Sequence, residues 1–341
     1  MLLNHEKINF LHLPTPLEYL PTLSKELQIE LYIKRDDLTG IGMGGNKLRK
    51  LEYFLYDAKQ KGATTLLTLG GAQTNHGRLT AAVAAKHGMK CVILCIDEYP
   101  GEVSANILLD RLMGAEVVLK KSDGRDVSLQ YDELTKEISK RYELEGEVVY
   151  PIPIGGSNEL GMLGYYECAM ELTKQAETLD LENARVISTV GSMGTYMGLF
   201  CGLKNENSPL ALTGIAILPF EEEKEIHLMN YFKKIKDFYS LPLTPSASDF
   251  DVETDYIREG YNKPNQKVRE AIYKMARKEA IILDPCYTGK TFAAILDMVQ
   301  QGKIKKGETI IFLHTGGQPG INTPFHRIEM EKELIDGVTI L

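Results

Sequence analysis

Short apolar runs alternate with amphipathic or alanine-rich segments along most of this chain, and that alternation restricts the fold more than any other feature. TLLTLGG (65–71) precedes a helical stretch from Asn75 to His87, and KCVILCI (90–96) precedes Ser104–Met113. AEVVLK (115–120) precedes Leu129–Arg141, and EVVYPIP (147–153) closes the set. Each run is apolar on both faces, as a strand covered by helices on both sides must be. The pattern predicts βαβ units and a parallel sheet.

The same grammar restarts after Gly155-Gly156-Ser157. A helix from Asn158 to about Glu177 leads to ARVISTV (184–190), a glycine-rich turn and helix lead to LALTGIAI (210–217), and an acidic helix opens at Glu221. ETIIFLHTGG (308–317) follows late, with helices on either side of Asp284-Pro285. The expected fold class is therefore α/β, with two open twisted sheets and helices on both faces. At 341 residues the chain exceeds what one core usually organises. The expected boundaries put a smaller domain, 52–155, inside a larger one made of 1–51 and 156–341. Tyr239–Asp255 reads as a loop.

Composition removes several classes of function. The net charge of −8, with no basic stripe, argues against a nucleic-acid partner. No run approaches the ~18 apolar residues of a membrane span, and Met1–Thr15 lacks the apolar core of a signal peptide. The five cysteines form no CxxC pair, which predicts reduced thiols and a cytoplasmic protein. The seven histidines show no metal-ligand spacing, so no metal site is expected.

Lys47 lies in IGMGGNKLRKLEYFLYDAKQKG. Asn46 suits an N-cap and Leu48, Leu51 and Leu55 follow at helical spacing, which puts Lys47 in the first turn. A helix start favours anions, so a lysine there is out of place as a surface residue. The positive potential would lower its ammonium pKa and free the amine to attack a carbonyl. In TVGSMGTYMGL (189–199) an apolar strand ends in Gly191-Ser192-Met193-Gly194-Thr195 and a helix follows. That is the form of a phosphate cradle, though neither a Walker A loop nor G-x-G-x-x-G.

LGGAQTNHGRLTAAVAAKHG (69–88) repeats the strand–glycine–helix form, with Thr74 and Asn75 capping the helix. Its N–H groups could take a carboxylate, and Asn75 offers an amide to a phenolic oxygen. Two anion-ready helix starts in two domains suit a small anionic ligand shared across a cleft. In LDPCYTGKTFAAI (283–295), Tyr287-Thr288-Gly289 opens a helix, and FLHTGGQPG (312–320) runs a strand into a glycine-rich loop. His314 reads as a packed strand-end residue, and Asp284 as a turn charge.

Taken together, GGNKLRKLE, GGAQTNHGRLTAAVAAKHG, GSMGT, DPCYTGK and HTGGQPG resemble the D-cysteine desulfhydrase / 1-aminocyclopropane-1-carboxylate (ACC) deaminase family over nearly the whole chain. The resemblance implies the tryptophan-synthase-β-like fold (PLP fold type II), a homodimer, a small amino-acid substrate and pyridoxal 5'-phosphate (PLP) held by Lys47 as a Schiff base. It implies that Asn75 bonds the cofactor's phenolic oxygen and that Gly191, Ser192, Met193, Gly194 and Thr195 cradle its phosphate. Thr74 would touch the substrate carboxylate and assist proton transfer. Tyr287 would be the active-site tyrosine, with Tyr261 a second one near the substrate. Two positions depart from the family pattern: Thr74 stands where serine is usual, and Met193 is bulky for a phosphate loop.

Residue 288 points to the reaction. ACC deaminases carry a glutamate there, facing the ring nitrogen, whereas Thr288, like Thr315, matches the desulfhydrase branch. A carboxylate keeps that nitrogen protonated and deepens the electron sink; a hydroxyl does so poorly. β-Elimination tolerates the shallower sink because the leaving group removes the electrons at once. The expectation is β-elimination from a small amino acid, D-cysteine being the first choice. ACC deamination, cysteate desulfonation and a non-catalytic PLP or amino-acid binding protein are the alternatives.

Overall fold

The computed structural model describes residues 1–99, 101–181, 183–263 and 265–339. They group into two compact units: Met1–Gly40, Gly44–Tyr56 and Gly156–Gly317 form the first, and Ile41–Met43, Asp57–Gly155 and Gln318–Leu341 the second. The chain opens with β1 (Leu17–Tyr19), α1 (Pro21–Leu27), β2 (Glu30–Arg35) and α2 (Lys47–Gln60). There follow β3 (Thr65–Leu69), α3 (Asn75–Lys86), β4 (Lys90–Ile96), α4 (Ala105–Leu112), β5 (Glu116–Lys120), α5 (Val127–Leu144) and β6 (Val149–Ile152). Next are α6 (Glu159–Thr178), β7 (Arg185–Val190), α7 (Gly194–Asn205), β8 (Ala211–Ala216), α8 (Lys224–Tyr239) and β9 (Val252–Glu253). The last are α9 (Gln266–Glu279), α10 (Thr288–Gln300), β10 (Thr309–His314) and α11 (Pro324–Leu334).

The first unit is built on a six-stranded sheet of order β1-β2-β10-β7-β8-β9. Only the β1–β2 pair is antiparallel. Its inner strands are apolar on both faces, and Leu31, Ile33, Val186, Ile187 and Ile310–Leu313 are all buried. Because β2, β10 and β7 are parallel neighbours, their C-terminal ends leave the sheet along one edge. Phe312 pairs with both Ile33 and Ile187, and His314 with Arg35. That edge is where open α/β sheets bind ligands. The chain leaving it carries the segment before Lys47, Thr315 and the loop 191–195.

Helix α2 is anchored beside this edge by a buried ionic cluster. The Arg49 guanidinium, 1% exposed, donates to both Asp36 oxygens (2.8 and 2.9 Å) and both Glu171 oxygens (2.9 and 3.0 Å). Tyr165 and Thr15 add hydrogen bonds to Asp36. A fork this well matched fixes the rotation of α2, and with it the direction of Lys47 two residues earlier.

The second unit carries a parallel four-stranded sheet of order β5-β4-β3-β6. Helix α5 covers one face through Leu134, Ile138 and Tyr142, which pack on Leu67, Val92 and Leu94. Three details depart from the sequence reading. Gln318–Leu341 groups with this second unit. There α4 packs on the 3-10 turn Gln318–Asn322, and Arg327 faces Glu102 at 3.8 Å. The segment 239–255 is not wholly a loop, because a 3-10 turn at Ala247–Asp249 leads into β9, which pairs with β8. Helix α8 starts at Lys224, three residues after Glu221. Among the described residues no helix is long and apolar enough to cross a membrane, and no group of three His, Cys, Asp or Glu could hold a metal. All five cysteines are free and buried.

Candidate active site

Lys47 opens α2 as its spacing predicts. Burial lowers its ammonium pKa to about 8, opposed by a hydrogen bond with Lys50. The expected lowering is therefore present, with desolvation as its main cause. Lys50 lies three residues on, on the same helix face, and is fully buried. Its own burial and the neighbouring Lys47 hold it well below the ordinary ammonium range. Sequence reasoning passed over Lys50, although its i+3 position in KLRK was the available signal.

The glycine-rich loop after β7 closes around Lys50. Ser157 Oγ accepts from the Gly194 N–H (3.0 Å) and from Lys50 Nζ (3.4 Å), and donates to Ser192 Oγ (2.9 Å). A Cβ on Gly194 would fall 2.7 Å from Ser157 Oγ and 2.9 Å from Lys50 Nζ, so a larger residue there would have to push both groups out of the loop. Met193 has φ 66° and ψ −39°, and the Gly194 N–H reaches back to Ser192 O at 2.8 Å. This is a γ-turn on a non-glycine residue, a strained conformation of the kind that concentrates at ligand clamps. The bulk of Met193 is accommodated because its side chain, 5% exposed, joins the core of Tyr53, Met162 and Tyr196.

Asn46 ties the edge loops together. Its N–H donates to Thr315 O (3.0 Å) and its Nδ2 to Thr195 Oγ1 (3.0 Å), which leaves the Thr195 O–H to donate elsewhere. Serine, threonine and backbone donors with one buried lysine form a donor set suited to a phosphate.

Tyr287 and Tyr261 meet hydroxyl to hydroxyl at 2.5 Å, with rings edge to face and centroids 5.9 Å apart. Burial, reinforced by Tyr261, raises the Tyr287 hydroxyl well above the ordinary phenol range, so it keeps its proton near neutrality. Asp284 caps α10. Its carboxylate accepts from the N–H groups of Cys286 (2.8 Å), Tyr287 (2.8 Å) and Thr288 (2.7 Å), and from Thr288 Oγ1 (2.7 Å). The Asp284 N–H returns a bond to Thr288 Oγ1 at 2.9 Å. The single O–H of Thr288 is thus engaged, and its oxygen can only accept from anything further. His314 has both ring nitrogens bonded within the fold, Nδ1 accepting from the Gly316 N–H (3.2 Å) and Nε2 facing Ile282 O (3.1 Å).

In the second unit, Thr74 caps α3 through a bond from the Gly77 N–H to Oγ1 (3.3 Å). Its methyl lies 2.5 Å from where a Cβ on Gly77 would stand, so the extra carbon relative to serine packs over that glycine. Asn75 is the first helical residue rather than a cap, and its Oδ1 accepts from Asn106 Nδ2 at 3.0 Å.

These features agree with what the chain is similar to. Residues 8–316 match the family described as "Pyridoxal-phosphate dependent enzyme". The chain is 36% identical over 329 residues to a Pyrococcus abyssi protein named "Putative 1-aminocyclopropane-1-carboxylate deaminase", covering 96% of each. It is 39% identical over 317 residues to the D-cysteine desulfhydrase of Salmonella typhimurium, covering 92% of this chain and 95% of that one. The crystal structure of an ACC deaminase homologue superposes with a TM-score of 0.85 at 34% identity, over 96% of both chains. A fungal L-serine ammonia-lyase from Rhizomucor miehei shares the fold, with a TM-score of 0.64 at 16% identity.

The chain belongs to the pyridoxal-phosphate dependent enzymes, with the fold type II architecture. Within that family it is a PLP-dependent lyase of the group that holds the ACC deaminases and D-cysteine desulfhydrases.

Proposed function

We propose that this lyase catalyses β-elimination from a small amino acid, D-cysteine first, consuming water and releasing pyruvate, ammonia and sulfide. The observation that carries the reading is the engagement of Thr288 with Asp284. Helix α10 opens with a hydroxyl where a carboxylate could have stood; with its proton given to Asp284, its oxygen can accept from a ring N–H but holds that proton less firmly than a carboxylate would. No carboxylate is offered from position 288 to keep a ring nitrogen protonated, and β-elimination is the reaction that tolerates this best.

Bound PLP supplies the electron sink for the pair left at Cα when the α-proton departs. Lys47 would hold it covalently; Lys50, Ser192, Thr195 and the backbone of Gly191–Gly194 would hold its phosphate. Asn75 would meet the phenolic oxygen, Thr288 and Thr315 would lie by the ring nitrogen, and Thr74 would bind the substrate carboxylate. With its ammonium pKa near 8, Lys47 is the base suited to take the α-proton. Tyr287 keeps its proton and is bonded to Tyr261, so the pair offers one hydroxyl proton to the substrate side and Tyr287 is not a base. The homodimer and cytoplasmic location expected from the sequence belong to this proposal; light scattering at twice the chain mass tests the first.

The test is purified enzyme with D-cysteine, L-cysteine, L-cysteate and ACC, measuring pyruvate, 2-oxobutyrate, sulfide and sulfite. Sulfide and pyruvate from D-cysteine are expected to be fastest. 2-Oxobutyrate from ACC formed faster than any elimination product would overturn the choice.

A further inference from the structure

The turn that presents Asn75 is held from α4 by one residue. Asn106 is fully buried. Its N–H donates to Gln73 Oε1 (2.8 Å), and its Nδ2 donates to both Gln73 O (2.7 Å) and Asn75 Oδ1 (3.0 Å). Gln73 Nε2 closes the ring on Ser104 O at 3.2 Å.

This network dictates which way each amide faces. A peptide carbonyl only accepts, so the end of Asn106 that meets Gln73 O must be the NH2 group. That group only donates, so Asn75 must meet it with Oδ1. The NH2 of Asn75 is then left as what Asn75 offers to any other partner. Flipping Asn75 would set two NH2 groups 3.0 Å apart inside the fold, and flipping Asn106 would set an oxygen against the Gln73 carbonyl at 2.7 Å.

We infer that Asn106 is a positioning residue that locks the Asn75 amide so that it presents N–H, not its carbonyl, to the phenolic oxygen of the cofactor. The inference rests on the role proposed for Asn75. A donor at that oxygen stabilises its negative charge, whereas a carbonyl would repel it, so the orientation set from α4 tunes the cofactor's electronic state.

The experiment compares visible absorption spectra, and the pH midpoint of the cofactor band, for PLP-loaded wild type, Asn75→Ala, Asn106→Ala and the double variant. Asn106→Ala is expected to move the band and its midpoint in the same direction as Asn75→Ala, by at least half as much. The double variant should match Asn75→Ala alone, because Asn106 acts only through Asn75. Gln73→Ala loosens the same turn but keeps the Asn106–Asn75 bond; it should lower the melting temperature and leave the band in place. If Asn106→Ala does not fold, Asn106→Asp, of the same size but without the donor, is read in its place. A shift in Asn75→Ala with none in the Asn106 variants, or shifts that add in the double variant, overturns the inference alone. No shift in Asn75→Ala overturns the Asn75 reading and the inference with it.

Discussion

Tyr261 and Tyr287 share a hydroxyl–hydroxyl hydrogen bond of 2.5 Å, although 26 residues separate them in the chain. One hydroxyl donates and the other accepts, so the pair fixes where the remaining proton points. Tyr287→Phe is expected to lower kcat for β-elimination about a hundredfold or more, the range for loss of a positioned hydrogen-bond donor. Tyr261→Phe should cost less, since it releases Tyr287 without removing it. Steady-state kinetics on D-cysteine give both values, and equal losses would contradict this order.

The lowered pKa of Lys47 predicts how cofactor loading depends on pH. Below about 8 the residue is an ammonium and cannot attack a carbonyl; above it the free amine dominates. Reloading of PLP into the apoprotein should accelerate as pH rises through about 8 and then level off. An ordinary lysine would keep accelerating toward about 10.4. Stopped-flow absorbance follows the rate, and Lys47→Ala should form no lysine-bound band at any pH.

Thr288→Val keeps the shape of the side chain but removes both of its bonds to Asp284. A buried N–H then loses its partner and the Asp284 carboxylate loses one donor. The expected destabilisation is about 1–3 kcal/mol. Denaturant titration of the apoprotein measures it, and an unchanged midpoint would show that the cap does not depend on the hydroxyl.

Met193→Ala removes a buried core side chain while the strained turn remains. It should destabilise the protein by about 2–5 kcal/mol. Met193→Gly would lose the same packing and relieve the positive φ, but it would also loosen the loop. Its affinity for PLP should therefore fall further than that of Met193→Ala, as equilibrium titration of the apoproteins would show.

The alternation of two-sided apolar strands with helices was legible because it is local, and so was the start of α2 at Lys47. The glycine loops at 70–71 and 191–194 were legible for the same reason, since each sits at the end of an apolar run. Other features were not. Gln318–Leu341 begins within the HTGGQPG loop, and nothing in its composition says that it packs with the second unit. Asn46 and Asn75 read alike as helix-start residues, yet one bonds across to Thr195 and the other to Asn106.

By itself, then, the sequence determined the α/β class, the parallel strands, and which loops carry lysine, phosphate-type donors and tyrosines. Those are properties of spacing and residue type over a few turns of chain. Only the tertiary structure decided that Lys50 and Ser157 meet at Gly194, that Tyr261 reaches Tyr287, and that burial sets the Lys47 pKa. Each depends on the order β2-β10-β7 or on how α9 and α10 follow one another, which brings together residues far apart in the chain. Desolvation, too, depends on everything packed around a group, and no local pattern records it.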